Sequence, residues 1–382
     1  MKHLNYFLLV VGICLLAQCA QPDPAEIPEP ALPADPAVES FGITPEDAAA
    51  EALAAREALS PATRGQAVAV RSVVRHGAQT AVQSAQTVDP SFYVVNFEQE
   101  SGFAIVAADR RQQIPVYAIS DEGSFPDPAS MEEGTLGYIF SRIASLASSS
   151  NPAAPSKRIV SGESVTGDEK FDRLIQMRWG VTYPFEGSTF RTAICQIMSY
   201  FEWPAAFDWD TIKSLPCILG LQLYNPYRDA QFTKLFQAVD NLQSDVRGSL
   251  ARLGYTCNPP QPYSFETVRY EIIYKRPVYA FASSREGCIV YNYGWLMDGI
   301  WRQRHVLYPS NQVTYFNMVH CNLCNDGQGN GYYAASIFNL GDAYCADGDA
   351  SSKPDGLWGQ RSYRAESIEI WTNIAPYGFK AN

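Results

Sequence analysis

Residues 187–204 read G-S-T-F-R-T-A-I-C-Q-I-M-S-Y-F-E-W-P and carry the strongest fold signal in the chain. The apolar residues of this stretch recur at intervals of three and four, which places them on one face of an α-helix. They are Phe190, Ala193, Ile194, Ile197, Met198 and Phe201. Ser188 and Thr189 both have side chains that can cap a helix N-terminus. The pattern therefore predicts an amphipathic helix over Thr189–Phe201.

Strand-like segments follow this helix toward the C-terminus. They are rich in aromatic and β-branched residues and cover residues 277–281, 289–293, 315–321, 332–338 and 367–374. A second helical stretch lies near residues 232–253. Helices followed by strands are typical of an α+β domain.

The region before residue 150 predicts a smaller α+β domain. Thr44-Pro45-Glu46-Asp47 combines a capping residue, a proline at the first helical position and acids in the first turn, so a helix is predicted from there to about residue 59. Segments 92–97 and 103–108 flank Glu100-Ser101-Gly102 and predict a hairpin. A third strand is predicted at residues 116–119.

Two parts of the chain resemble the streptopain-like cysteine peptidases. Residues 187–204 are similar to the family's nucleophile-bearing helix, which opens roughly G-x-C-V-A-T-A and continues A-Q-I-M-K-Y-x-x-W-P. Residues 93–111, Y-V-V-N-F-E-Q-E-S-G-F-A-I-V-A-A-D-R-R, resemble the family's prosegment, which also occurs as a stand-alone inhibitor. The resemblance implies a papain-like α+β peptidase domain preceded by a small α+β prosegment domain.

The same resemblance places four residues of the wrong chemistry at the positions of the family's active site. Val181 stands where the family has its oxyanion-binding glutamine, and Thr189 where it has its nucleophilic cysteine. Tyr293 occupies the histidine position, and Leu323 replaces a tryptophan beside the retained Asn322. The flanking motifs survive, since Arg178-Trp179-Gly180 resembles the family's K-W-G, Trp295-Leu296-Met297-Asp298-Gly299 its W-V-I-D-G, and His320-Cys321-Asn322 its H-x-N. We therefore expect no catalytic residues and predict a pseudopeptidase that binds a peptide or protein in its cleft, or another cysteine protease through its prosegment.

Two alternatives remain open at this stage. An active cysteine endopeptidase, made as a self-inhibited zymogen, would need another thiol and base. The thiol candidates are Cys195 and Cys288, the latter through a second register that aligns Gly287-Cys288 with the family's G-H, and the base candidates are His305 and His320. His305 is expected on an irregular segment after the site strand, and His320 is expected to be a buried strand histidine. The second alternative is a surface adhesin or assembly scaffold.

The N-terminus predicts export. An apolar stretch over residues 6–17 is too short to span a bilayer and is typical of a signal peptide. Leu15-Leu16-Ala17-Gln18-Cys19 resembles a bacterial lipobox, which predicts lipidation of Cys19 and a place on the cell envelope or outer membrane, with secretion as the alternative. The proline- and acid-rich segment that follows predicts an extended tether.

Composition limits the partners further. A net charge of -11 without a run of basic residues argues against nucleic acid. No cofactor is expected, and the single motif Cys321-Asn322-Leu323-Cys324 without a second pair gives no metal prediction. The predicted organisation is a signal peptide at 1–19, a tether at 20–40, a prosegment domain at 41–147, a linker at 148–169 and a peptidase-type domain at 170–382.

Overall fold

The computed structural model describes most of the chain from residue 41 onward. The described residues are 41–59, 68–77, 91–112, 114–126, 134–148, 165–181, 185, 187–215, 225–240, 245–286, 289–307, 312–339 and 368–381. The predicted signal peptide, Cys19, the tether and Cys288 lie outside them. Within the described part, no helix has the length and apolar character needed to cross a membrane.

Helix α1 spans Pro45–Leu59 and confirms the helix predicted there. Thr44 closes its N-terminus, because the Thr44 hydroxyl accepts the Asp47 N–H at 3.1 Å and the Asp47 carboxylate accepts the Thr44 N–H at 3.4 Å. The buried side of the helix consists of residues three or four positions apart, namely Ala48, Ala52, Ala55 and Leu59. The small side chains of the three alanines allow α1 to lie close to the strands beneath it.

Four strands follow α1 and form one end of a large sheet. They are β1 (Val70–His76), β2 (Phe92–Phe97), β3 (Phe103–Ala107) and β4 (Val116–Ser120). The hairpin β2–β3 and the strand β4 confirm the sequence predictions. Alternate residues of β2 face α1 on one side and helix α2 (Thr135–Ser148) on the other, so the strand is buried along its whole length.

The C-terminal part contains five helices and nine strands among its described residues. The helices are α3 (Thr189–Phe201), α4 (Trp209–Lys213), α5 (Pro226–Asp240), α6 (Val246–Arg252) and α7 (Phe265–Ile273). The strands are β5 (Val165–Phe171), β6 (Tyr255–Thr256), β7 (Gln261–Pro262), β8 (Val278–Glu286), β9 (Ile289–Leu307), β10 (Gln312–Asn322), β11 (Gly331–Ala334), β12 (Glu369–Trp371) and β13 (Ala375–Pro376).

The N-terminal and C-terminal strands belong to one antiparallel sheet. Within the described residues it has 11 strands in the order β1-β2-β3-β4-β11-β10-β9-β8-β12-β7, with β5 paired to β9, and a separate pair joins β13 to β6. The junction is β4–β11, where Tyr332 lies opposite Ile119. A Cβ on Gly331 would lie 2.3 Å from the Ile119 carbonyl oxygen, so this close pairing requires a glycine. The fold is α+β, and the hydrophobic core continues from the N-terminal helices into the C-terminal strands.

The structure differs from the sequence predictions in several places, and the strand predicted at 367–374, for example, covers only Glu369–Trp371. His305 lies on β9, not on an irregular segment, because β9 continues to Leu307 while paired with both β5 and β10. The stretch at 232–253 contains two helices, α5 and α6, with residues 241–244 outside the described part. The strand predicted at 332–338 ends at Ala334 and continues as a 3-10 turn. Ser188 alone caps α3, and Thr189 is the first helical residue.

Candidate active site

The N-terminus of α3 is where the family resemblance places a nucleophile. Ser188 has extended backbone dihedrals, and its hydroxyl accepts the Arg191 N–H at 3.2 Å. One turn further on, the Thr192 hydroxyl donates to the Ser188 carbonyl oxygen at 3.0 Å. Thr189 is half-buried in the first turn, where unsatisfied N–H groups and the helix dipole would favour an anion.

Strand β9 meets this helix end at the residue beside Tyr293. A Cβ placed on Gly294 would lie 3.0 Å from the Thr189 hydroxyl oxygen and 2.6 Å from the Tyr279 hydroxyl oxygen. The structure therefore brings positions 189 and 294 together, whereas the Tyr293 side chain points to the opposite face of the sheet, into the core that contains α2. The Thr189 side chain thus meets a glycine and the Tyr279 hydroxyl, not the residue at the family's histidine position.

Helix α2 of the N-terminal part covers Tyr293 and Leu323. Tyr138 stacks on Tyr293 with ring centroids 4.8 Å apart and ring planes 19° apart, and the exposed fraction of Tyr293 is 2%. Leu323, which is 1% exposed, and Leu136 both lie against Gly329. At the histidine position of the family site the chain thus has a tyrosine stacked on a second tyrosine. At the tryptophan position it has a leucine that lies near another leucine.

Val181 and Asn322 serve the framework around α3. The Val181 carbonyl oxygen accepts the Gly187 N–H at 2.6 Å, which closes the loop that leads into the helix. The Asn322 amide donates to the Met177 carbonyl oxygen at 2.8 Å and to the Gln196 side chain at 2.9 Å. The Asn322 side-chain oxygen also accepts the Cys324 N–H at 3.1 Å. These bonds tie the end of β10 to α3.

The alternative thiols are not positioned for catalysis in the described part of the chain. Cys195 is fully buried, and burial raises the pKa of its thiol. Cys321 and Cys324 are likewise buried with raised pKa values. None of the described free cysteines, which also include Cys257, forms a hydrogen bond to a histidine. Cys288 lies outside the described residues.

The alternative bases lie in different places on the sheet. His305 is buried on β9, opposite Thr314 of β10. Twelve positions separate it from Tyr293, which corresponds to roughly 40 Å along a strand. His320 is buried on β10 opposite Gly299. The structure does not bring His305 to the N-terminus of α3.

His320 instead forms a buried charged cluster that the sequence reasoning missed. Its Nδ1 lies 2.6 Å from Asp298 Oδ1 and its Nε2 lies 3.2 Å from Asp121 Oδ2. Burial by itself lowers the pKa of His320, but attraction to Asp298 and hydrogen bonds to both carboxylates outweigh burial and raise the pKa to about 9. The imidazole is therefore a cation at neutral pH that links the N-terminal Asp121 to the C-terminal Asp298. The three residues lie in separate segments of the chain, and no local sequence signal indicates that they meet.

No metal site is evident in the described residues, since none of their histidine, cysteine, aspartate and glutamate side chains form a group of three that could hold an ion. The buried Cys321 and Cys324 are both free thiols. Gln196 donates to the Cys324 sulfur at 3.3 Å, which gives this cysteine a place in the Asn322 network.

Comparison with known proteins identifies the N-terminal part. A family model described as Spi protease inhibitor matches residues 43–141, from the start of α1 into α2. No curated protein matches the chain. The N-terminal part is thus of the protease-inhibitor and prosegment type, and its position ahead of a larger α+β body fits a streptopain-like arrangement.

Proposed function

We propose that this protein is a catalytically degenerate, streptopain-like peptidase homologue that binds a peptide, a protein or another protease. The observation that carries the proposal is the contact of Thr189 with Gly294 and the Tyr279 hydroxyl, while Tyr293, at the family's histidine position, faces the other side of the sheet. A cysteine peptidase needs a thiolate beside an imidazole at this point. A threonine hydroxyl inside the chain has no adjacent amine to activate it, and a tyrosine is a weak base near neutral pH.

The packing of α2 on this part of the sheet also favours a binding function rather than hydrolysis. Tyr138 stacks on Tyr293, and Leu136 lies near Leu323 across Gly329. A substrate could reach Tyr293 from this side only if α2 moved away and left these apolar surfaces in water, which is unfavourable. The ligand is therefore expected at another surface, or after release of the N-terminal part.

The type of partner and the location are further parts of this proposal. The match of residues 43–141 to a protease-inhibitor family supports an interaction with a protease. The apolar segment at residues 6–17 and the motif ending at Cys19 support export and attachment to the cell envelope through a lipid. We expect intact-mass measurement of protein from its native membrane to find a mature chain that starts at a lipidated Cys19.

Hydrolysis and thiol labelling test the main proposal. The protein starting at residue 20 is incubated with casein and, separately, with an epoxide inhibitor of cysteine proteases, alongside papain as the positive control. We expect no casein fragments and no added mass on the protein. Inhibition of papain and related proteases by the same sample is measured in parallel, because the N-terminal family match favours such binding.

An epoxide adduct at one stoichiometric site together with casein cleavage would contradict the proposal. Peptide mapping would then identify the reactive thiol. An adduct on Cys288 would favour the active zymogen that the second sequence register allows, whereas one on Cys195 would require that the buried core around α3 opens.

One surface favours the scaffold as a second candidate function. Trp203 and Tyr377 are 40% and 60% exposed; the Trp203 ring lies against Gly254, whose carbonyl oxygen accepts the Tyr377 N–H, and Phe379, 38% exposed, packs edge-to-face against Phe201. Exposed aromatic clusters are typical of contact surfaces. A scaffold is expected to self-associate in sedimentation experiments, and the double variant Trp203→Ser/Tyr377→Ser should lose this association, whereas Tyr227→Ser, at an exposed tyrosine elsewhere, should keep it. A monomer at all concentrations would exclude assembly through this surface.

A further inference from the structure

A half-open cavity of about 410 Å³ lies where the N-terminal and C-terminal parts meet. This volume is within the range of small-molecule sites, which are often found at the interface between domains. The N-terminal part contributes Arg56, Leu59 and residues 119–122, and the C-terminal part contributes Lys170, Asp172, Arg173, Gln176, His320 and Tyr332. The cavity is distinct from the site around Thr189 and Tyr293.

The acidic side chains of this cavity each have a cationic partner. Asp121 lies 3.2 Å from the His320 ring, and Asp172 lies 2.8 Å from the Lys170 ammonium group. Glu122 pairs with Arg178, which lies outside the cavity lining. The acids of the lining are therefore neutralised by their neighbours.

Arg56 is a cation of the cavity lining that takes no part in these ion pairs. It forms no ion pair with any described carboxylate. Its guanidinium group lies 4.5 Å from the centre of the Phe97 ring and donates one hydrogen bond to the Ser101 carbonyl oxygen. Burial lowers the pKa of Arg56, and the charge of Asp121 offsets this only in part. A half-buried guanidinium with four further N–H groups is suited to binding an anion.

We propose that this cavity binds a ligand through a carboxylate group held by Arg56, with a further hydrogen bond from Lys170, whose ammonium group has a third N–H beyond those given to Asp172 and the Leu59 carbonyl oxygen. The ligand is a small organic acid or the C-terminal end of a peptide. A singly charged carboxylate fits better than a phosphate dianion, because Asp121, Glu122 and Asp172 would repel the additional charge. Leu59, Ile119 and Tyr332 provide apolar surface for the rest of the ligand.

Calorimetric titration near pH 7 tests this inference with three probes. They are propionate, acetyl-tetra-alanine with a free C-terminus, and the same peptide as its C-terminal amide. We expect the free-acid peptide or propionate to bind and the amide to bind at least about tenfold more weakly, since the amide loses a charge-assisted hydrogen bond. Binding of the peptide acid alone assigns the site to peptide ends, and binding of propionate assigns it to small acids.

Variants connect the binding to the cavity. Arg56→Gln and Lys170→Gln should each weaken binding about tenfold, and Asp172→Asn should strengthen it by removing a nearby negative charge. Arg71→Gln is the matched control, because Arg71 is in the same N-terminal part but bonds to Ser124 on the surface. Thermal melting confirms that each variant is folded, and Lys170→Gln remains informative if Arg56→Gln is unstable.

The inference is overturned if neither acid binds up to about 10 mM, if acid and amide bind equally, or if both Arg56→Gln and Lys170→Gln, once folded, bind like the wild type. It extends the proposed function by naming a ligand class and a site. Its failure would leave the hydrolysis and labelling results at Thr189 unaffected. Conversely, casein cleavage would contradict the proposed function without bearing on carboxylate binding.

Discussion

His320 is a buried residue whose charge state links stability to pH. Its two carboxylate partners differ in exposure, since Asp298 is fully buried and the side chain of Asp121 is 34% exposed. Asp298 also accepts the Ile175 N–H at 3.0 Å, so its second oxygen is satisfied as well. Asp121 has Arg173 at 3.8 Å as a second cationic neighbour. The imidazolium is thus more important to Asp298, which has no water to replace it.

The unfolding free energy is predicted to fall as pH rises through the pKa of His320. The folded pKa of about 9 lies above the ordinary value of 6.5, so the stabilisation is complete below pH 6.5 and is lost as pH rises through 9. Urea denaturation of the wild type and of His320→Gln between these values measures it. The buried cysteines contribute equally to the pH dependence of both proteins. Parallel curves of unfolding free energy against pH would therefore contradict the role of His320.

The His320→Gln variant is also predicted to be less stable at neutral pH by about 3–5 kcal/mol, because it leaves Asp298 buried without its cation. Asp172→Asn is the matched surface control. The side chain of Asp172 is 80% exposed, so the loss of its pair with Lys170 should change the unfolding free energy by less than about 1 kcal/mol. Equal effects of the two variants would show that burial of the charge does not determine the stability.

Thr189 is predicted to be a position where a cysteine would be reactive. A thiol in Thr189→Cys would lie in the first turn of α3, where the helix dipole lowers a cysteine pKa. Iodoacetamide should therefore label residue 189 in the native protein faster than the fully buried Cys195. Peptide mapping measures the labelling, and Thr192→Cys, one turn further on and fully buried, is the control. Labelling of residue 189 that is no faster than that of Thr192→Cys would contradict the prediction.

At the scale of elements, helix α3 depends on a single capping residue. Ser188→Ala is predicted to lower the unfolding free energy by about 1 kcal/mol, because the Arg191 N–H loses its acceptor. Thr189→Ala should change it by less than about 0.5 kcal/mol, since Thr189 lies inside the helix and alanine has a high helix propensity. Thermal or urea unfolding distinguishes the two. A larger loss in Thr189→Ala would mean that Thr189 is the cap after all.

Local signals allowed α1, α3 and the hairpin β2–β3 to be predicted from the sequence. The second half of β9 could not be predicted, because its polar residues Arg302, Gln303 and Arg304 give no alternating pattern. That half is a strand because its backbone is paired on both edges, with β5 and with β10. Similarly, local motifs were enough to predict which family positions residues 189 and 293 correspond to. The stacking of Tyr138 on Tyr293 could not be predicted in this way, because the two residues are far apart in the sequence.

At the scale of the whole molecule, the inhibitor-type part and the larger body share one sheet and one core. Backbone pairing of β4 with β11 is reinforced by side chains on both sides of the junction. The Ser120 hydroxyl donates to the Asn330 carbonyl oxygen at 2.9 Å, and Asp121 pairs with His320. An inhibitor domain fixed in this way presents its α2 face to its own chain, which restricts how it could reach another protease.

The two parts are therefore predicted to stay together when the chain between them is cut. A specific protease site is inserted between residues 149 and 164, and the cleaved protein is analysed by size-exclusion chromatography. We expect both fragments to elute together, because cleavage leaves the β4–β11 hydrogen bonds and the Tyr138–Tyr293 stacking unchanged. Separation of folded fragments from the otherwise unaltered protein would contradict the prediction.

A glycine pair tests whether this sheet junction is what holds the fragments together. In Gly331→Ala the new Cβ would lie 2.3 Å from the Ile119 carbonyl oxygen, so β4 and β11 must move apart and the cleaved fragments should separate or unfold. Gly167→Ala on β5 is the control, since its nearest neighbour, the Arg304 Cβ, is 3.9 Å away. Co-elution in both variants would mean that the side chains around His320 and Tyr293, and not the backbone pairing, hold the fragments together. In that case, adding the substitution His320→Gln is expected to release the N-terminal fragment.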